Sequence, residues 1–310
     1  PLTWAADRPE PEIAVRLVFA LWRFWQQRGY LNEARMRMDG LDARGWDLPQ
    51  ALAARFAEAY GGIAYWQADH PTTLRWYDRA LETWRAIGDD REVANALYNR
   101  GYGEAIAIAE GGLPDVSMLE EALAIYRRLG DRGGEANALW GLGFTRFFGA
   151  EFEAAEALYR ESLDLNRAVG QRTMEAWSLH MLALALIAQR KLDEAADAAA
   201  HALRHFHEAG DVTGITLVLD DLSTLALIAG DETRAGRLYG AARHLQETTG
   251  ADIATFNANA FLASNVPALT EAIASMVLER HAEAGAAMSL DEIVAYALEK
   301  GTIEKGTIDS

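Results

Sequence analysis

The sequence contains no cysteine in 310 residues. That excludes a disulfide framework, a thiolate metal site and a cysteine nucleophile. It holds only seven prolines, mostly between helical runs, so few helices are interrupted from within. Basic residues are also scarce: 29 Lys and Arg stand against 46 Asp and Glu, giving a net charge of −17. Such a chain repels a polyanionic partner, which argues against direct nucleic-acid binding. No unbroken apolar run reaches the roughly 18 to 20 residues that span a bilayer. The most apolar stretch, Met181 to Ala188, belongs to an amphipathic helix. No secretory signal is visible, and the expectation is a cytoplasmic chain with no membrane contact. The sequence starts at Pro1 rather than Met, as a fragment or a trimmed product would.

Half the residues are hydrophobic and alanine is abundant, the profile of a helical protein with a large buried area. A closing mark recurs at Ile87-Gly88-Asp89, Leu129-Gly130-Asp131, Val169-Gly170-Gln171, Ala209-Gly210-Asp211 and Thr249-Gly250-Ala251. Its glycines stand at a constant step from Gly130 through Gly170 and Gly210 to Gly250, and at a slightly longer one from Gly88 to Gly130. A fixed period of this size is the signature of an α-solenoid. The stretch Asn137 to Gly170 represents the unit, two helices with a break at Gly149-Ala150-Glu151.

The pattern predicts an all-α superhelix of about six hairpins over residues 1–250, a C-terminal helical cap over 251–300 and a disordered tail over 301–310. The first hairpin, Glu12 to Gly29 with Leu31 to Leu41, is atypical, as end repeats often are. Gly61-Gly62 in mid-helix implies a close helix approach or a local break. The third hairpin carries the longer loop Glu110 to Pro114, which accounts for the one longer step. Asp211 and Asp231 suit N-caps. Gly130, Gly170, Gly210 and Gly250 suit left-handed helix ends. Beyond Gly250 the period fades. Thr255 to Ala263, Pro267 to Ala284 and Ser289 to Lys300 still read as helices, and Ser289 with Glu292 suits a capping box.

Leu139, Leu142, Gly143, Ala155, Tyr159 and Ser162 occupy the spacing of tetratricopeptide (TPR) repeats. The next unit supplies Leu179, Leu182, Ala183, Ala195, Ala199 and Ala202, and the one after it Leu219, Leu222, Ser223, Ala235, Tyr239 and Ala242. More narrowly, LVFALWRFWQQRGYLNEAR, TRAGRLYGAARHLQETTG and AGAAMSLDEIVAYAL resemble the C-terminal TPR regions of bacterial STAND-class signal-transduction ATPases. These proteins often carry a cyclase domain or a DNA-binding domain of LuxR or winged-helix type. The resemblance implies a non-catalytic sensor arm that binds a small-molecule effector, a peptide or a partner protein, with an ATPase domain as its intramolecular partner. The alternative is a free-standing TPR scaffold. The chain has no GxxxxGK[ST] loop, no helix-turn-helix that can be placed and no arguable Ser/His/Asp arrangement, so neither an enzyme nor a bound cofactor is expected.

In TPR stacks the first helix of each hairpin lines the concave face. Carried onto this chain, that rule nominates Asn95, Tyr98, Tyr102, Asn137, Trp140, Phe144, Trp177, His180 and Asp220 as a groove for ligand or partner. Aromatics with a few polar groups suit a ligand that is stacked and oriented; the competing reading is that they merely pack between neighbouring helices. Trp22, Arg23, Trp25 and Gln26 with Arg55, Tyr65 and Trp66 form a second set, read chiefly as packing or interdomain contact. His201 and His205 share a helix face with His207 nearby. Without an accompanying carboxylate they read as a solvated face, and no metal site is expected.

Overall fold

The computed structural model describes residues 10–106, 115–249 and 278–299, and these fold into helices joined by short turns, with no strand among them. The helices run α1 Pro11–Gln27, α2 Leu31–Asp42, α3 Gln50–Trp66, α4 His70–Ile87, α5 Asp90–Ile106, α6 Ser117–Leu129 and α7 Arg132–Phe148. They continue with α8 Phe152–Val169, α9 Arg172–Ala188, α10 Leu192–Ala209, α11 Val212–Ile228, α12 Glu232–Thr249, α13 Glu279–Ala286 and α14 Leu290–Leu298. Consecutive helices pair as antiparallel hairpins, and each hairpin packs on the next. Gly250, the loop Glu110 to Pro114, the helix expected over Thr255 to Ala263 and most of that over Pro267 to Ala284 lie outside the described residues.

The repeated Gly-Asp mark works as two devices in series. Gly88, Gly130, Gly170 and Gly210 end their helices at φ between 64° and 80°, where a Cβ is strained. After all of them but Gly170, which Gln171 follows, an aspartate then starts the next helix. The side chains of Asp131 and Asp211 accept from the Gly134 and Gly214 amides at 2.9 and 3.0 Å, and Asp231 accepts from the Arg234 amide at 2.9 Å. Each bond satisfies a free amide of the first turn. Ser289 and Glu292 form the expected capping box.

Within a hairpin the two helices approach through small residues. Gly143 lies against the Tyr159 ring, and Ala155, Tyr159 and Ser162 are fully buried. The Ser162 hydroxyl donates to the Ala136 carbonyl at 2.8 Å. Gly61 and Gly62 do not break α3; they let the Tyr77 ring and the Trp22 indole lie against its backbone.

First and second helices differ in how they are buried. From Thr213 to Ala226 every residue of α11 is buried, and most of α9 is too. Helices apolar all round belong in an interior. The second helices α8 and α10 bury one stripe. The first hairpin breaks the pattern: α1 packs more on α3 than on its own partner α2, and it also touches α11. The Thr213 hydroxyl donates to the Gln26 carbonyl at 2.8 Å, across a sequence separation of 187. Gly29 lies against Thr249, and the Arg28 guanidinium lies over Gly210. A simple solenoid touches only neighbouring repeats; this one winds tightly enough for its first and sixth hairpins to meet. Beyond the sixth hairpin, α13 packs on α12, and α14 touches α10 and α12.

Candidate functional site

The winding brings aromatic residues from successive hairpins into one interior lattice. Tyr98 and Tyr102 of α5 stack with ring planes 6° apart and centroids 6.1 Å apart. Tyr102 meets Trp140 at 5.0 Å and Phe144 at 4.9 Å, both on α7. It also meets Tyr65 of α3 at 4.9 Å, and the two tyrosine hydroxyls share a hydrogen bond. Trp66 of α3 reaches Trp177 of α9 at 5.5 Å, three hairpins further along the chain. Trp177 packs in turn on His180 and on Phe206 of α10. The Trp140 indole N–H donates to the Trp177 carbonyl at 3.2 Å. Tyr98, Tyr102 and Trp177 are half-buried, whereas Trp140, Phe144 and His180 are buried. Edge and offset contacts of this kind add about 0.5–1.5 kcal/mol per pair beyond area burial.

The polar residues nominated from the sequence have specific places. His180 Nδ1 lies 2.7 Å from a carboxylate oxygen of Asp221, and both side chains are buried. Burial raises the Asp221 carboxyl, and His180 opposes that shift. The residue that pairs with His180 is therefore Asp221, one position beyond the nominated Asp220, which is itself buried. A one-residue slip on a helix buried all round leaves no trace in an apolar pattern. Asn95 does not join the lattice: its amide donates to Glu92 at 3.0 Å and its carbonyl accepts from the Tyr126 hydroxyl at 2.7 Å. Asn137 is half-buried, and its side-chain carbonyl has no hydrogen-bond partner among the described residues.

The second nominated set divides in two. Arg55 bonds Glu92 and lies 3.3 Å from Glu58, whose other oxygen accepts from the Trp84 indole at 2.8 Å. Burial pushes the Glu58 carboxyl up to about 7, with Arg55 and Trp84 pulling it back. Gln26 and Arg23 face the start of α11, at Thr213 and Asp211, while Trp22 lies against Gly62 of α3. Arg23 lies on the Trp22 indole, 4.0 Å from the ring centroid. At the start of α11, burial pushes the Asp211 carboxyl up to about 6 despite its bonds to Gly214 and Thr213. The seam is invisible to a repeat-by-repeat reading, because it joins the two ends of the array.

His201 bonds the Asp197 carbonyl within its own helix, His205 lies beside Arg172, and His207 meets Asp291 of α14 at 2.9 Å. Among the described residues no three metal-ligating side chains converge, and no helix is long and apolar enough to cross a membrane.

No protein-family model and no curated protein matches this chain. Solved structures do match. A Rap protein complexed with competence and sporulation factor superposes with a TM-score of 0.58 at 14% identity, covering 89% of each chain. The Rap conjugation gene regulator of plasmid pLS20, in complex with a Phr peptide, gives a TM-score of 0.53 at 13% identity, covering 96% of this chain and 98% of the other. At such identities the likeness speaks for the fold alone: the chain is an α-solenoid of TPR-like helical repeats.

Proposed function

We propose that this chain is a regulatory binding module whose aromatic-lined interior takes a short peptide or a small molecule. The observation that carries the proposal is the lattice of Tyr65, Tyr98, Tyr102, Trp140 and Trp177, set beside polar groups that the packing leaves unmatched. A wall of this composition stacks a ligand and orients it by a few hydrogen bonds. Similarity to two Rap proteins, each solved with a peptide or factor bound, supports a peptide as the first class to try.

The mechanism is differential binding. The first and sixth hairpins meet, so the interior has a closed form. A ligand that favours one winding of the superhelix shifts the population toward it, by no more than its difference in affinity for the two forms. The setting we propose is the sensor arm of a STAND-class ATPase, on the strength of the sequence resemblance; there the winding would bias the attached ATPase. The non-catalytic reading belongs to the same proposal.

A thermal-shift screen of short peptides and metabolites tests it. At 100 times its dissociation constant a ligand stabilises the folded chain by about 2.7 kcal/mol, which is visible as a raised melting temperature. A screen without any stabilising peptide or metabolite contradicts the proposal, and turnover of ATP or a cyclic nucleotide by the chain alone contradicts its non-catalytic part.

A further inference from the structure

The polar groups that α1 brings to the interior are unusual in kind. Arg23 is exposed to water, and Tyr77, Tyr98, Tyr102 and Asp211 act electrostatically on its guanidinium. Its one close partner is the face of Trp22; among the described residues it makes no hydrogen bond and no ion pair. Its N–H groups are therefore open to a ligand that arrives from solvent.

Gln26 lies three residues further along α1, on the same helix face as Arg23. It is 2% exposed, and its amide nitrogen has no hydrogen-bond partner among the described residues. The unmatched inventory on α1 thus consists of donors: the guanidinium N–H groups and the Gln26 amide. Of the two, the Gln26 amide is the buried one, and an unmet buried donor is costly. Around them stand the faces and edges of Trp22, Tyr98 and Tyr102, which suit an apolar or aromatic body.

We propose that Arg23, assisted by Gln26, is the anion-binding point of the interior site, and that its ligand presents one carboxylate attached to an apolar or aromatic body. The inference rests on the binding role proposed above and specifies its chemistry. A single carboxylate suits the place better than a phosphate dianion. Asp211 is fully buried at the same seam, its second oxygen has no partner among the described residues, and the chain carries a net charge of −17. Each added negative charge on a ligand meets that field. A carboxylate of this kind comes from two sources, the C-terminus of a peptide or a small aromatic acid.

The test compares acids with their neutral amides. One arm uses a random short-peptide library with free C-termini and the same library amidated; the other uses N-acetyl-tryptophan and N-acetyl-tryptophanamide. Binding is read on the wild type, Arg23→Gln and Arg23→Lys, with circular dichroism and melting as the control for folding. The guanidinium is solvated and its one close contact is Trp22, so Arg23→Gln is expected to fold. The expected result is a preference of roughly tenfold or more for the acid in at least one arm, lost in Arg23→Gln and partly kept in Arg23→Lys. Preference in the peptide arm alone assigns a C-terminus, and preference in the second arm a small acid. Equal binding of acid and amide by the wild type, or an undiminished preference in Arg23→Gln, overturns the role of Arg23 and leaves the binding role standing. Failure of every probe to bind overturns both.

Discussion

Glu58 shows how a single buried acid sets the response of this molecule to pH. It is 6% exposed on α3, held between the Arg55 guanidinium and the Trp84 indole. Burial lifts its carboxyl from 4.5 to about 7. An acid lifted in the folded state favours folding when protonated. Its contribution is therefore complete below about pH 4.5 and is lost as the pH rises through about 7. Each unit of displacement corresponds to about 1.4 kcal/mol, so Glu58 alone shifts stability by a few kcal/mol at most. Asp211, lifted from 3.8 to about 6, acts in the same direction. Glu156, lowered to about 2 by Lys191, Arg160 and Gln189 against its burial, acts in the opposite one, contributing above about pH 4.5 and losing that contribution as the pH falls toward 2. The urea midpoint should fall between about pH 5 and 8, and Glu58→Gln should flatten that slope. Parallel slopes for variant and wild type would mean that Glu58 is not the titrating group. The sequence offers no warning of this site, because a glutamate amid helical alanines reads as an exposed face. Trp140 and Phe144, by contrast, were legible as inward residues, since the repeat offset aligns them with Tyr98 and Tyr102.

At the scale of the element, the repeat brings the same turn back with different residues in it. Ala68, Ala150 and Arg190 hold positive φ of 55° to 61° between the helices of their hairpins, and Gly230 holds 81° in the sixth. A side chain in this left-handed region costs about 1–2 kcal/mol, offset in part by the greater freedom of glycine in the unfolded chain. Ala150→Gly is thus expected to raise stability by up to about 1 kcal/mol, and Gly230→Ala to lower it by a similar amount. Chemical denaturation reads both, and changes of the same sign would refute the turn argument. A second recurrence concerns volume. Tyr126, Asn166 and Phe206 occupy equivalent places in successive repeats, and Gly134, Met174 and Gly214 occupy equivalent places in the helices that follow. A Cβ at Gly134 would run into the Tyr126 ring, and one at Gly214 into Phe206. Each aromatic is thus matched by a glycine, and the smaller asparagine by a methionine. Gly134→Ala should destabilise by about 1–3 kcal/mol through overpacking, although alanine is the better helix former by about 1 kcal/mol. A stabilised variant would show that the ring moves aside freely. The glycines were legible as punctuation where they close a helix, and Gly61-Gly62 as a close approach; the matching of Gly134 to Tyr126 and of Gly214 to Phe206 depends on a side chain of the preceding helix and was not.

At the scale of the whole molecule, the decisive feature is that the ends of the repeat array meet. The bond from Thr213 to the Gln26 carbonyl and the approach of Gly29 to Thr249 tie the first hairpin to the sixth. In an open array, loosening α1 would leave α11 untouched. Here Thr213→Val, which removes a bond worth about 1 kcal/mol, should speed amide exchange in α1 and α11 together. Acceleration confined to α11 would mean that the seam carries no coupling. The period revealed the hairpins, their caps and the inward face, because those are local and recur in every unit. It could not reveal the seam, which depends on the accumulated twist of the whole array. We propose this closed aromatic interior as the place where a ligand binds. Equilibrium binding of a short-peptide library to the wild type, Tyr98→Ala and Trp177→Ala, the half-buried members of the lattice, reads this. Both variants are expected to keep wild-type helicity and to lose roughly tenfold or more in binding, the loss expected when stacking worth about 1.4 kcal/mol is removed; undiminished binding by both variants would contradict a ligand site in this interior.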